Sequence, residues 1–126
     1  TVGELTGENK ILNNNKLVKF SQKKKKKKNS SGTSLFLLSK HGNGKQMDTF
    51  LIEFEKNSDS KEIMKSHPGQ EFCFVLKGKI EFTIDNKKYL LEKNDSFYFN
   101  SAQLHSARNV SSSTAQLIWI VTPPEI

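Results

Sequence analysis

Short apolar runs alternate with clusters of Gly, Asn, Asp and Ser along most of this chain. Each run is four to seven residues long and rich in Phe, Ile, Val and Tyr, and no stretch sustains the 3.6-residue period of an amphipathic helix. The pattern therefore predicts an all-β domain, a barrel or sandwich. The predicted strands are Leu17–Phe20, Ser34–Leu38, Thr49–Phe54, Glu71–Leu76, Lys79–Ile84, Lys87–Leu91, Ser96–Phe99, His105–Asn109 and Ala115–Val121.

Two local patterns fix the expected geometry near the middle of the chain. Asp85 and Asn86 tolerate positive φ and stand between alternating segments, which predicts a hairpin with a two-residue turn. In the strand Glu71–Leu76, the two-residue period puts the Glu71 carboxylate on the same face as Cys73. A carboxylate directed into an apolar interior needs a partner, such as a histidine or a metal ion.

Length and composition limit the class of protein. A chain of 126 residues suffices for one core, so we expect one barrel over residues 16–126, and residues 1–15 are polar and rich in Gly and Asn, which indicates a linker. The first residue is not Met, which predicts a processed or truncated chain. No apolar run approaches the roughly 20 residues of a membrane span, and no secretory signal is visible. The single cysteine fits a reducing cytoplasm.

The net charge of +7 comes mostly from one run of six lysines, Lys23–Lys28. Without that run, 14 basic residues nearly balance 13 acidic ones. Lysine on an edge strand blocks edge-to-edge pairing, so we favour a solvated edge strand here. Contact with phosphate groups is the less favoured alternative.

Candidate chemistry lies in His67, Glu71 and His105. Two imidazoles and one carboxylate are the ligand types of a three-residue site for a divalent metal such as Zn, Fe, Mn or Ni. Lys65 stands two residues before His67, and a protonated ammonium donates no lone pair. The alternative is a metal-free polar pocket in which Lys65 or a protonated histidine neutralises the Glu71 carboxylate.

These residues resemble the two short motifs of the cupin superfamily. In the first motif, His67, Glu71 and Gly78 match, while Lys65 replaces a histidine and Asp59 replaces a glycine. In the second motif, His105 and Asn109 match, whereas Asn94, Asn100 and Ala102 replace Gly, Pro and Gly. Asn94 accepts a left-handed backbone nearly as well as glycine. The resemblance covers Leu35 to Pro124 and implies a cupin double-stranded β-helix, a jelly-roll barrel of two packed antiparallel sheets.

The segment Asp95–Phe99 and the ending Trp119–Pro124 resemble one cupin branch in particular. In that branch the barrel follows an XRE-type helix-turn-helix in a bacterial transcriptional regulator, and the resemblance implies a remnant of that preceding domain as the alternative to a linker over residues 1–15. The resemblance implies a cytoplasmic homodimer that senses a small molecule, for which an anion is one candidate, and that contacts DNA only through a separate domain and no membrane. The expected ligand-binding residues are Lys65, His67, Glu71, Cys73, Phe99, His105 and Trp119.

Two other functions stay open. One is a stand-alone metal-dependent enzyme, such as a dioxygenase or isomerase, and the other is a metal-free dimerisation module. The chain offers no evident second catalytic group beside the three possible ligands, so the sequence leans against an enzyme and no residue is assigned a catalytic role. Arg108 lies opposite His105 by strand parity and is expected at the surface.

Overall fold

Two antiparallel sheets make up the domain in a computed structural model, which describes residues 16–40, 42 and 44–124. The larger sheet has the strand order β1-β2-β3-β9-β4-β7 and the smaller one the order β6-β5-β8. This all-β arrangement confirms the predicted jelly-roll fold class. The strands are β1 (Lys24–Lys28), β2 (Thr33–Leu37), β3 (Asp48–Phe54), β4 (Gln70–Lys77), β5 (Ile80–Ile84), β6 (Lys87–Leu91), β7 (Ser96–Asn100), β8 (His105–Asn109) and β9 (Ala115–Thr122).

The core lies between the two sheets and follows the two-residue period of the strands. In β9, every second residue from Ala115 to Val121 is buried and the others are partly exposed. The sheets meet through aromatic rings: Phe82 of β5 lies 5.4 Å from Phe97 and 6.2 Å from Phe99, both of β7, between ring centroids. Burying each such side chain contributes roughly 1.5–3 kcal/mol, so the alternation in β9 fixes which of its faces points inward.

The N-terminal strand is displaced from its predicted position. The expected strand Leu17–Phe20 is wrong: a single 3-10 turn occupies Phe20–Gln22, and Leu17 and Phe20 are exposed. Leu17, Val18 and Phe20 do not pack into the core, so the apolar character of this run does not produce a strand. The extended segment begins at Lys24 instead, where β1 pairs with β2.

The lysine run forms the edge of the larger sheet. β1 is at the end of the strand order and its side chains are exposed or partly exposed. A β-bulge interrupts its register with β2 between Lys25 and Lys27. Charge and a bulge both discourage a further strand from adding at this edge, so the prediction of a solvated edge strand is confirmed.

Residues with a left-handed backbone conformation lie at the turns that the sequence predicts. Asp85 and Asn86 have φ of 47° and 70°, which confirms the hairpin between β5 and β6. Asn94 has φ of 72°, so asparagine takes the backbone conformation that glycine has in the cupin motif. At Gly78, with φ of 82°, a Cβ would lie 2.8 Å from the Ala115 Cβ, so both conformation and space require glycine.

Some expectations concern residues outside the described ranges. The linker or domain remnant at residues 1–15 is among them. Within the described ranges, no helix is long and apolar enough to cross a membrane.

Candidate functional site

Glu71 is a buried carboxylate near the start of β4, on the inner face of the larger sheet. It is 1% exposed and shares that face with Cys73 and Val75, as strand parity predicts. Its Oε1 accepts a hydrogen bond of 2.5 Å from the indole Nε1 of Trp119. Trp119 lies on the adjacent strand β9, where it is the register partner of Cys73. The indole therefore satisfies one carboxylate oxygen and leaves Oε2 directed elsewhere.

Both predicted histidines reach that second oxygen. The Nε2 atoms of His67 and His105 lie 2.9 Å and 3.2 Å from the Glu71 Oε2. His67 belongs to the loop before β4, which is held by hydrogen bonds from His67 N to Ser101 O and from Ser101 N to Gly69 O. His105 begins β8 in the smaller sheet, so the cluster joins the two sheets across the interior. The structure thus brings together the three residues that the sequence singles out.

The remaining ring nitrogens determine which tautomer each histidine adopts. The Nδ1 of His67 lies 3.0 Å from the Pro68 carbonyl oxygen, and the Nδ1 of His105 lies 2.8 Å from the Gln103 carbonyl oxygen. A carbonyl oxygen only accepts, so each Nδ1 carries a proton. Each Nε2 then faces the Glu71 carboxylate either as a protonated donor or with its lone pair.

Positive charge is therefore required between Glu71 and its histidines. A lone pair facing a carboxylate oxygen is repulsive, which either a proton on Nε2 or a bound cation relieves. For His105, burial acts to lower the pKa, but the Glu71 carboxylate and the Gln103 carbonyl act in the opposite direction and prevail. The pKa of His105 is raised above its ordinary value, which favours the protonated ring near neutral pH.

The chemistry of the donor set also suits a metal ion. The buried Nε2 of His105 makes no hydrogen bond of good geometry within the described chain. Donation from Nδ1 to a carbonyl is the arrangement that usually orients a metal-binding imidazole. The side chains nevertheless touch one another, and in the described ranges no three His, Cys, Asp or Glu side chains are spaced to hold an ion. A metal ion would have to separate the carboxylate from the rings.

The other predicted pocket residues fall into two groups. Cys73 is 0% exposed, and burial, followed by the negative charge of Glu71, raises the pKa of its thiol well above the ordinary value. Phe99 is buried and packs edge-on against the His105 ring with centroids 5.0 Å apart. Lys65, in contrast, is exposed in the loop before β4 and forms no ion pair within the described ranges. The ion-pair partners of Glu71 are histidines and not Lys65.

Arg108 has the surface position that strand parity predicts. Its side chain is about half exposed, and its Nη2 lies 3.6 Å from the Glu81 Oε1 on the neighbouring strand β5. The strand therefore directs Arg108 away from the face that carries His105.

Asn109 holds the second motif to the rest of the domain, a role that its motif position alone does not reveal. Its buried side-chain Nδ2 donates to the carbonyl oxygens of Phe54, Glu55 and Ser113, and its Oδ1 accepts from the backbone N–H of Ser111. These bonds anchor the end of β8, the strand whose first residue is His105. The matched His and Asn at this spacing indicated the motif, but two of the acceptors, the Phe54 and Glu55 carbonyl oxygens, lie more than 50 positions away in the sequence.

Gly69 permits close passage of the chain beside the site. Its φ is 137°, and a Cβ on this residue would collide with the carbonyl oxygen of Thr122. The loop that carries His67 can therefore cross the end of β9 only with glycine at this position.

The fold and these motifs define a family. The cupin domain model matches residues 50–121, more than half of the chain, and the protein belongs to the cupin family. The expectation drawn from the motifs of His67, Glu71 and His105 is thus confirmed at the level of family.

Among curated proteins, the chain is similar to the HTH-type transcriptional regulator PuuR of Escherichia coli (strain K12). The two are 27% identical over 92 residues, which are 73% of this chain and 49% of the regulator. A regulator of the same name from Shigella flexneri matches to the same extent. The chain thus spans about half the length of the curated relatives it matches.

Solved structures show the same fold at lower identity. An RmlC-like cupin from Shewanella frigidimarina superposes with a TM-score of 0.71 at 18% identity, covering 86% of this chain and 91% of that one. The cupin domain of an XRE family transcriptional regulator from Enterobacter cloacae superposes with a TM-score of 0.63 at 22% identity, covering 74% and 98%.

Proposed function

We propose that this cupin domain is the small-molecule-sensing part of a helix-turn-helix transcriptional regulator whose DNA contacts are made by a separate domain. The observation that carries the proposal is the similarity to PuuR across 73% of the chain, in a relative about twice as long as the match. A role next to DNA would place the protein in the cytoplasm of a bacterium.

The effector would bind at the cluster of His67, Glu71 and His105. Three features support this position: the cluster is buried, it joins the two sheets, and its charge balance depends on a proton or a cation. An effector that replaces one of these contacts changes how the sheets are held together. To regulate DNA binding, it must bind one conformation of the protein more tightly than another, since equal affinity for both shifts nothing.

A divalent ion such as Zn, Fe, Mn or Ni is part of the proposal. It would be held by the Nε2 atoms of the two histidines and by Glu71, and it would polarise an oxygen atom of a bound effector. The Trp119 indole would keep Glu71 oriented, while the Pro68 and Gln103 carbonyls would keep both Nε2 lone pairs available. Elemental analysis of protein purified without chelator tests this: about one equivalent is expected, falling to background in His105→Gln.

The regulator assignment is tested on the gene and on the full-length protein. We expect the open reading frame to encode a helix-turn-helix upstream of Thr1, and we expect the full-length protein to bind DNA in an effector-dependent manner. Small molecules that raise the melting temperature of the cupin domain identify candidate effectors, which are then tested for release or capture of an operator duplex. A reading frame without a DNA-binding segment, or turnover of a candidate compound, would instead favour a stand-alone enzyme.

A homodimer that pairs through the outer face of the larger sheet completes the proposal. This face carries apolar side chains that are only partly covered, and Tyr98 on it is 64% exposed. An isologous interface has the two-fold symmetry that suits a regulator that reads two half-sites. The apolar residues of the face are Phe72, Phe74, Leu76, Ile118 and Ile120.

Sedimentation of matched variants tests the dimer. Ile120→Asp places a charge in the middle of the outer face and is expected to give a monomer, because an unpaired charge is not buried in an apolar interface. Leu104→Asp is the control, since Leu104 is equally apolar and 68% exposed but lies in the loop between β7 and β8. A wild-type protein that sediments as a monomer at all concentrations would remove the dimer from the proposal.

A further inference from the structure

Two neighbouring grooves open beside the edge strand β1, away from the histidine cluster. One has a volume of about 340 Å³ and the other about 300 Å³, and they share Ser39 and Lys40. Lys24 also lines the first groove, and Lys16 and Lys45 line the second. The described residues that line the grooves include four lysines and no acidic side chain.

Two buried polar groups at these grooves lack hydrogen-bond partners within the described chain. They are the Nζ of Lys45 and the Oγ of Ser39. The Lys45 side chain is only 6% exposed, and its Nζ lies 3.3 Å from the Oδ1 of the buried Asp48. An ammonium group has three donors, and the single Asp48 oxygen nearby satisfies at most part of them, which leaves a cost in free energy. A ligand that supplies acceptor oxygens would satisfy both groups.

Charge and shape specify the ligand further. The exposed Lys16, Lys24 and Lys40 add positive charge at the mouth of the grooves. Apolar side chains stand beside them: Leu37 in the first groove and Met47 in the second. Charge-assisted hydrogen bonds from lysine favour phosphate or carboxylate oxygens, and the apolar wall favours a hydrocarbon portion next to them.

We propose that the two grooves form one binding site for a small organic anion, in which a phosphate or carboxylate group contacts Lys24, Lys40 and Lys45. The site is separate from the histidine cluster and does not depend on the regulator assignment. Asp48 is the register partner of Val121, and Val121 is the register partner of Glu71. The two sites thus lie two strands apart on one sheet, about 10 Å by the usual strand spacing.

The two methionines of the chain provide a direct test. Met47 lines the second groove and is 46% exposed, whereas Met64 is 7% exposed in the core. With methyl-¹³C methionine, NMR titration by phenyl phosphate or by benzoate at constant ionic strength should shift the Met47 signal with saturation and leave Met64 in place. The probe that saturates at lower concentration distinguishes phosphate from carboxylate as the preferred group. No shift, a shift without saturation, or equal shifts of both signals would overturn the proposal.

Matched charge variants separate a defined site from general attraction. Lys24→Gln combined with Lys40→Gln should weaken binding about tenfold or more, since two charge-assisted contacts are lost. Lys25→Gln combined with Lys28→Gln removes the same charge from β1 outside both grooves and should change affinity less than about twofold. Equal losses in the two double variants would overturn the proposal, as would a DNA duplex that displaces the small anion from Met47.

Discussion

Two buried carboxylates on the same sheet face have different basic partners. Glu71 contacts the imidazoles of His67 and His105, whereas Asp48 lies 3.3 Å from the ammonium of Lys45. Both carboxylate side chains are fully buried, and both residues occupy inward positions of the larger sheet. The backbone setting is thus similar, and the difference lies in the partner.

The type of basic partner determines whether a cation can replace a proton beside each carboxylate. An imidazole can lose its proton near neutral pH and then offers a lone pair, so a cation can replace the proton between Glu71 and its histidines. A lysine ammonium has no lone pair and only donates hydrogen bonds, so Lys45 cannot itself bind a cation beside Asp48. The same sheet thus carries a pair of imidazoles that can face a cation and, two strands away, an ammonium whose unsatisfied donors, together with Lys24 and Lys40, form the anion site that we propose.

Removing the Glu71 carboxylate should have the largest effect. Glu71→Ala leaves the Trp119 indole and two histidines without their buried acceptor, and we expect a loss of about 4 kcal/mol in the free energy of unfolding. Urea denaturation followed by circular dichroism measures it. Glu92→Ala is the control, because Glu92 pairs with Lys79 at the surface and should cost less than about 1 kcal/mol. Equal losses in the two variants would show that the cluster adds no stability.

Removing the ammonium should have a somewhat smaller effect. Lys45→Met keeps the length and apolar stem of the side chain but takes a cation away from Asp48, and we expect a loss of about 3 kcal/mol. Lys93→Met, at an exposed position, should change stability by less than about 0.5 kcal/mol in the same denaturation experiment. A Lys45→Met protein as stable as the control would mean that Asp48 does not depend on this ion pair.

The histidine cluster should make the stability of the metal-free protein depend on pH. The pKa of His105 is raised in the folded state, so folding favours the protonated ring. That stabilisation is complete below about pH 6.5, the ordinary histidine value, and is lost as the pH rises through the folded pKa. Urea denaturation in EDTA between pH 6.5 and pH 8.5 should show a fall that His105→Gln lacks. Parallel curves for the two proteins would assign the pH dependence to other groups.

The thiol of Cys73 should be the least reactive group near the site. Burial first, and then the Glu71 charge, raise the pKa of Cys73, so little thiolate forms in the folded state. Iodoacetamide at pH 8 should label it only at the rate of unfolding, as mass spectrometry with and without urea would show. Rapid labelling of the folded protein would mean that solvent reaches the interior beside Glu71.

The sequence predicted the interior of this domain better than its edge. Strict alternation in β4 and β9 predicted that Glu71 points inward, and the burial of Cys73 and Trp119 beside it agrees. At the N-terminal edge, the apolar Leu17 and Phe20 suggested a strand that is absent, because edge pairing depends on backbone bonds to β2 and not on which side chains are apolar.

Contacts between distant positions explain what the sequence did not reveal about the site. The hydrogen bond from Trp119 to Glu71 joins residues 48 positions apart. The ion pair between Lys45 and Asp48 is local, but no known sequence motif indicated it. Lys65 suggested a neutralising cation because it lies two residues from His67. The loop conformation directs it to solvent instead, and strand parity does not apply outside a strand.

The lysine edge strand has a consequence for how the protein behaves in concentrated solution. β1 would otherwise offer a free row of backbone donors and acceptors to another molecule. Repulsion between the ammonium groups of β1 in two neighbouring molecules acts over roughly 10 Å at 0.1 M salt and over about 3 Å at 1 M. Association of molecules through this edge therefore depends on ionic strength. A buffer of low ionic strength keeps neighbouring barrels apart, and a buffer of high ionic strength lets their edges approach.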